Sequence, residues 1–99
     1  ALAKANENSW RILFSIANVF SYNEYFKEAI QMWQKTFDCM PKPRYTDSFE
    51  AMAQCCVRMG DHESAVEYYK KELELLREDW GLKYGAEVDA LEEKIRALQ

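Results

Sequence analysis

Glycine and proline are scarce in this chain of 99 residues, three and two respectively. That scarcity excludes collagen-like and low-complexity structure and argues for long regular elements. There is one histidine, His62, so a zinc site of the usual histidine-rich kind lacks its ligands. The three cysteines, Cys39, Cys55 and Cys56, are an odd set without C-x-x-C spacing. They do not make a disulfide framework, and free thiols in a reducing, cytoplasmic compartment are expected. No apolar run approaches the ~20 residues that span a membrane, and no signal-peptide pattern is visible. Basic residues are fewer than acidic ones, 13 Lys and Arg against 17 Asp and Glu, for a net charge of −4. Without a basic cluster this segment is not expected to bind nucleic acid. Glycine-rich phosphate loops, a G-x-S-x-G elbow and a metal-ligand set are also missing, so neither an enzyme nor a cofactor is expected. The chain opens at Ala1 rather than Met, which suggests a piece of a longer protein.

What is present is apolar and aromatic: 48% of residues are hydrophobic, among them six Tyr, five Phe and three Trp. These residues repeat. Leu13 pairs with Phe49, Ile16 with Met52, Ala17 with Ala53 and Phe20 with Cys56, at a constant offset of 36 residues. At the same offset Ala29 pairs with Ala65, Ile30 with Val66, Trp33 with Tyr69, Phe37 with Leu73 and Met40 with Leu76. A repeat of this period marks stacked supersecondary units, none of which buries its apolar face alone.

Inside each unit the spacing is helical. Leu13, Ile16, Ala17 and Phe20 fall at i, i+3, i+4 and i+7, and Ala29, Trp33, Phe37 and Met40 at i, i+4, i+8 and i+11, each one face of a helix. Helices are expected over 9–22, 24–40, 46–59 and 61–79. Gly60 suits the left-handed residue that ends a helix, and Asp61 the cap that starts the next. The link Pro41-Lys42-Pro43-Arg44-Tyr45 closes the first unit, because proline does not continue a helix, and Thr46 is a candidate cap beyond it. His62 lies between Asp61 and Glu63 and suggests chemistry at first sight. The repeat offset, however, places it where the first unit has Phe26, an aromatic packing position. Of the thiols, Cys56 matches Phe20 on the packed face, while Cys55, with Arg58 three residues on, is the candidate for redox sensing.

On these residues the chain resembles the tetratricopeptide repeat family, whose helix pairs of about 34 residues carry W-x2-L-G-x2-Y, A-x3-F and a proline. Leu13, Ile16, Ala17, Phe20, Ala29, Trp33 and Pro41 stand in those places in residues 9–45. Phe49, Met52, Ala53, Cys56, Ala65 and Tyr69 do so in 46–80. The resemblance implies an all-α domain over 1–99, with antiparallel helix-turn-helix pairs stacked as a right-handed superhelix of about five helices. Three departures stand out. Glu24 replaces the turn glycine, so Asn23 is expected to take the strained conformation. The connector is two residues longer than usual. The small residue late in each second helix is Thr36 in the first copy and Glu72 in the second. A carboxylate there suggests that the chain beyond the second unit does not dock as an ordinary third repeat.

Residues 86–98 form a last amphipathic helix through Val88, Leu91, Ile95 and Leu98. It suits either a cap over the second unit or a short dimerisation seam. Residues 1–8 resemble the tail of a preceding second helix and suggest a further repeat upstream; two repeats alone are few for stability, so a homo-oligomer is a further expectation.

In this family the concave face is lined by the first helix of each pair. Opposite the packed stripe, helical spacing places Arg11, Phe14, Asn18, Ser21 and Tyr22 in the first unit and Asp47, Glu50, Gln54, Val57 and Arg58 in the second. Asn18 and Gln54 can clamp a peptide backbone, and Phe14 and Tyr22 can anchor it. The carboxylate clamp of chaperone-tail binders is not matched, since Phe14 stands at its lysine position and Glu50 repels a carboxylate. The implied function is a non-catalytic protein- or peptide-binding module. The alternative is the ligand-sensing or dimerising part of a larger cytoplasmic regulator, such as a bacterial transcriptional regulator, whose flavour the segment Glu78–Gly85 carries.

Overall fold

The computed structural model describes the backbone of residues 2–99 and the side chains from Trp10 onward. Five α-helices succeed one another: α1 (Leu2–Tyr22), α2 (Phe26–Cys39), α3 (Asp47–Arg58), α4 (His62–Trp80) and α5 (Ala86–Leu98). No strand occurs among the described residues. Each helix packs on its neighbours in sequence, α1 on α2, α2 on α3, α3 on α4 and α4 on α5. The result is an all-α stack of helical hairpins.

Small residues explain the close approach within each hairpin. Ala17 and Ala29 are fully buried between α1 and α2, and Ala53 and Ala65 between α3 and α4. Around them lie two apolar clusters. The first gathers Trp33, Phe49, Met52, Cys55 and Leu75, with Phe14, Phe20 and Phe37 against it. The second gathers Cys56, Val66, Tyr69 and Leu76 with Val88, Leu91 and Ile95 of α5. Ile30 and Tyr68 touch both clusters, which joins them into one core.

Turn chemistry holds in the second hairpin and differs in the first. Gly60 has φ +81°, and Asp61 caps α4 by accepting a hydrogen bond from the Ser64 N–H at 3.1 Å. That bond holds the Asp61 carboxyl below its usual range. Gly81, at φ +66°, ends α4, and the Leu82 N–H donates back to the Leu76 carbonyl at 2.9 Å, a Schellman closure. Between α1 and α2, Glu24 itself sits in the left-handed region with φ +67°, where Asn23 was expected. Asn23 instead donates its side-chain amide to the Val19 carbonyl at 2.9 Å. Thr46 makes no side-chain capping bond to α3.

Other expectations change as well. Helix α1 starts at Leu2 and runs unbroken to Tyr22, earlier than the expected residue 9; residue 1 lies outside the described residues. His62 is exposed and does not pack in the aromatic slot, because the first turn of α4 extends past the core. Ile16, expected on the packed stripe, is exposed, and with Ile12 and Val19 it forms an apolar row on the outside of α1. Helix α5 does dock on α4, as α3 docks on α2. Its apolar residues are buried inside the domain, so they cover the second hairpin and do not form a free seam.

Candidate functional site

Side chains link the odd-numbered helices α1, α3 and α5 across one surface. Arg58 of α3 comes within 3.5 Å of the Ser21 carbonyl and hydroxyl on α1. The Ser21 hydroxyl and the Cys55 thiol are also 3.5 Å apart. On the other side, Lys94 of α5 is 3.5 Å from the Glu50 carboxylate of α3. Helix α5, packed on α4, thus also reaches α3 through Lys94.

The sequence-derived residues sort into two groups along this surface. On α3, Asp47, Gln54, Val57 and Arg58 are exposed in one stripe and Glu50 is half-buried, because the rest of the helix is apolar and turned to the core. Gln54 donates to Glu50 at 3.3 Å, so the Gln54–Glu50–Lys94 row is held in place across two helices. Arg58 is pinned by the Phe26 ring, its guanidinium 4.7 Å from the centroid.

On α1 the face is turned from the one expected. Arg11, Asn18 and Tyr22 are exposed, but Phe14 and Ser21 are half-buried on the packed side. Phe14 lies 6.3 Å from Trp33, centroid to centroid, and helps cover it. It is a core residue rather than a free anchor. Arg11 sits over the Trp10 ring at 5.1 Å. Asn18 and Tyr22 thus remain the open groups of α1, within four residues of Ser21, which Arg58 contacts from α3.

A shallow cavity of ≈ 220 Å³ opens on this surface between Gln54, Val57, Tyr69, Lys94 and Leu98. Of its α5 residues, Lys94 was not among the binding residues named from sequence. A charge within an amphipathic helix gives no sign of which neighbour it will meet.

The connector between hairpins is a second feature that the repeat alignment does not reveal. Arg44 donates to Asp79 through Nε at 2.8 Å, through Nη2 at 3.1 Å and through its backbone N–H at 2.9 Å. Its guanidinium also lies 4.6 Å from the Phe37 centroid. Trp80 Nε1 donates to the Arg44 carbonyl at 2.6 Å. These bonds fix Tyr45 and Trp80 side by side, 6.2 Å between centroids, with Trp10 5.5 Å from Tyr45 on the other side. The Arg44 hydrogen bonds pull the Asp79 carboxyl down to about 2.

The redox expectation for Cys55 does not survive burial. Only 1% of the residue is exposed, which closes the thiol to reagents. Burial also pushes the neighbouring Cys56 thiol up to about 11, away from the reactive thiolate. Among the described residues no three His, Cys, Asp or Glu side chains are grouped to hold a metal ion, and no helix is long and apolar enough to cross a membrane. No family model matches the chain, and no curated protein matches its sequence.

Proposed function

We propose that this domain is a non-catalytic, peptide- or protein-binding module of tetratricopeptide type, whose groove is lined by α1, α3 and α5. The observation that carries the reading is a set of exposed polar and aromatic side chains on three helices that side-chain contacts link. It runs from Asn18 and Tyr22 through Gln54 to Lys94, tied together by the Arg58–Ser21 and Glu50–Lys94 contacts. Such groups offer both donors and acceptors to an extended backbone, on helices that are already ordered. The resemblance in repeat spacing points the same way.

The test is capture of peptides from a random displayed library by the parent domain and by the triple variant Asn18→Ala, Tyr22→Ala, Gln54→Ala. All three positions are exposed, so the variant is expected to keep its helicity and melting temperature. Selected peptides should bind the variant at least tenfold more weakly. Equal binding by both proteins moves the site elsewhere, and failure of the parent to select any peptide ends the reading.

One observation supports a second reading, the dimerising part of a regulator. Ile12, Ile16 and Val19 form an exposed apolar row on α1, and contiguous apolar patches mark association surfaces. Under this reading the isolated domain sediments as a dimer at micromolar concentration, and Ile12→Glu returns it to the monomer. A monomer at every concentration removes it.

A further inference from the structure

Two adjoining cavities of ≈ 370 and ≈ 270 Å³ lie between the second hairpin and α5, and both are bordered by Thr46, Leu76 and Glu87. At the wall of the smaller one is Glu72, only 5% exposed, and its Oε1 has no hydrogen-bond partner. A buried carboxylate oxygen left in this way lacks a donor. The charged groups that face it are Asp47 and Glu50 from α3 and Glu87 and Lys94 from α5. Lys94 is the one cation among them, and it is engaged elsewhere, 3.5 Å from Glu50 and 5.6 Å from the Tyr69 centroid. Acid therefore exceeds base around a carboxylate that the Thr46 side chain helps to hold but whose Oε1 has no donor.

To the Thr46, Leu76 and Glu87 that it shares with the smaller one, the larger cavity adds Asp47 at its rim and a lining that is otherwise apolar and aromatic. Leu76 and Leu82 form an apolar wall, and the paired rings of Tyr45 and Trp80 stand at its edge. Passing from one cavity to the other, a ligand would meet aromatic, then aliphatic, then anionic surface. That sequence complements a side chain with a methylene stem and a cationic head. A bare metal ion is a poor complement, since no acidic trio is grouped to ligate it among the described residues.

We propose that the cleft between α3, α4 and α5 receives the lysine or arginine side chain of a peptide partner, its cationic head on Glu72 and its methylenes along Leu76 and Leu82. The proposal rests on the peptide-binding reading above and supplies the partner's chemistry. Burial, reinforced by the Glu50 charge, pushes the Glu72 carboxyl up to about 7. A cation binds its ionised form, so affinity rises with pH through that region.

Two measurements test this, on the parent and on Glu72→Gln, which removes the charge and keeps the shape. The first titrates the ¹⁵N-labelled domain with n-butylammonium, with neutral n-butanol as control. The ammonium should shift the amides of Ala90 and Leu91, less in the Gln variant and several-fold more weakly at pH 6 than at pH 8. No shift, or shifts equal for the alcohol or for the variant, overturns the site. The second compares the library peptides captured by the two proteins. Lysine or arginine should be enriched at one position for the parent and not for the variant. Peptides captured without that enrichment overturn the proposal and leave the groove standing. Ammonium shifts without any peptide captured overturn the peptide reading itself and, with it, the assignment to a peptide side chain.

Discussion

Replacing Arg44 with alanine is expected to destabilise the domain by about 1.5–3 kcal/mol, because it removes two charge-assisted hydrogen bonds from the Asp79 carboxylate. Asp79 is only 3% exposed in its side chain and accepts both guanidinium bonds and the Arg44 N–H, while the Arg44 side chain is 23% exposed. The asymmetry gives the prediction its shape. Asp79→Asn keeps an acceptor and releases a guanidinium that can reach water, so it should cost less than Arg44→Ala. Urea unfolding at neutral pH measures both, and equal losses would show that the charge left behind does not matter. The same pair sets a pH dependence. Asp79 has a folded value of about 2 against an ordinary 3.8, so its contribution is complete above about pH 5. It is lost as pH falls from about 4 through 2, and amounts to about 2 kcal/mol. In Asp79→Asn that acid-side loss should shrink.

Glu72→Gln is expected to act in the opposite direction and at the opposite end of the pH scale. With its carboxyl raised from 4.5 to about 7 in the folded domain, the native state holds a proton that the unfolded chain releases. Stability from this group is therefore undiminished below about pH 4.5, falls as pH rises through about 7, and is reduced by about 3 kcal/mol beyond it. The Gln variant escapes this loss. At pH 8 it should be more stable than the parent by about 2–3 kcal/mol, less whatever its own amide fails to bond; at pH 4 the two should match. For a domain of this size each kcal/mol moves the melting temperature by roughly 4–8 °C, so thermal unfolding at the two pH values resolves the difference. A parent whose stability is flat between pH 5 and 8 would refute it. A carboxylate retained at such a cost is consistent with a role in binding, since sites for ligands often oppose stability.

How far the sequence could be read depended on how one-sided each helix is. Helix α3 has apolar residues on a broad face and Asp47, Gln54 and Arg58 on the other, so periodicity alone places its exposed stripe correctly. Helix α1 carries Trp10, Ile12, Leu13, Phe14, Ile16, Val19 and Phe20 nearly all round. Two stripes then fit a 3.6-residue period equally well, and the packing of Phe14 on Trp33 selects between them. No local pattern could make that choice. Four helices and their order are visible from the 36-residue repeat, the fifth from the spacing of Val88, Leu91, Ile95 and Leu98, and the turn at Gly60 and Asp61 from turn chemistry. Glu24 was harder, because the backbone closure of the hairpin sets its positive φ and overrides residue preference. The cleft lies beyond sequence reading, since it depends on which α4 side chain α5 fails to cover.

The placement of Trp33 and Trp80 has an optical consequence. Trp33 is buried in the first hairpin at 2% exposure, whereas Trp80 is 46% exposed and borders the larger cavity. Emission from Trp33 reports whether the core is intact. Emission from Trp80, set against Tyr45, reports what enters the cleft. Acrylamide quenches the exposed indole and spares the buried one, so a single unlabelled sample can track occupancy and unfolding as separate signals.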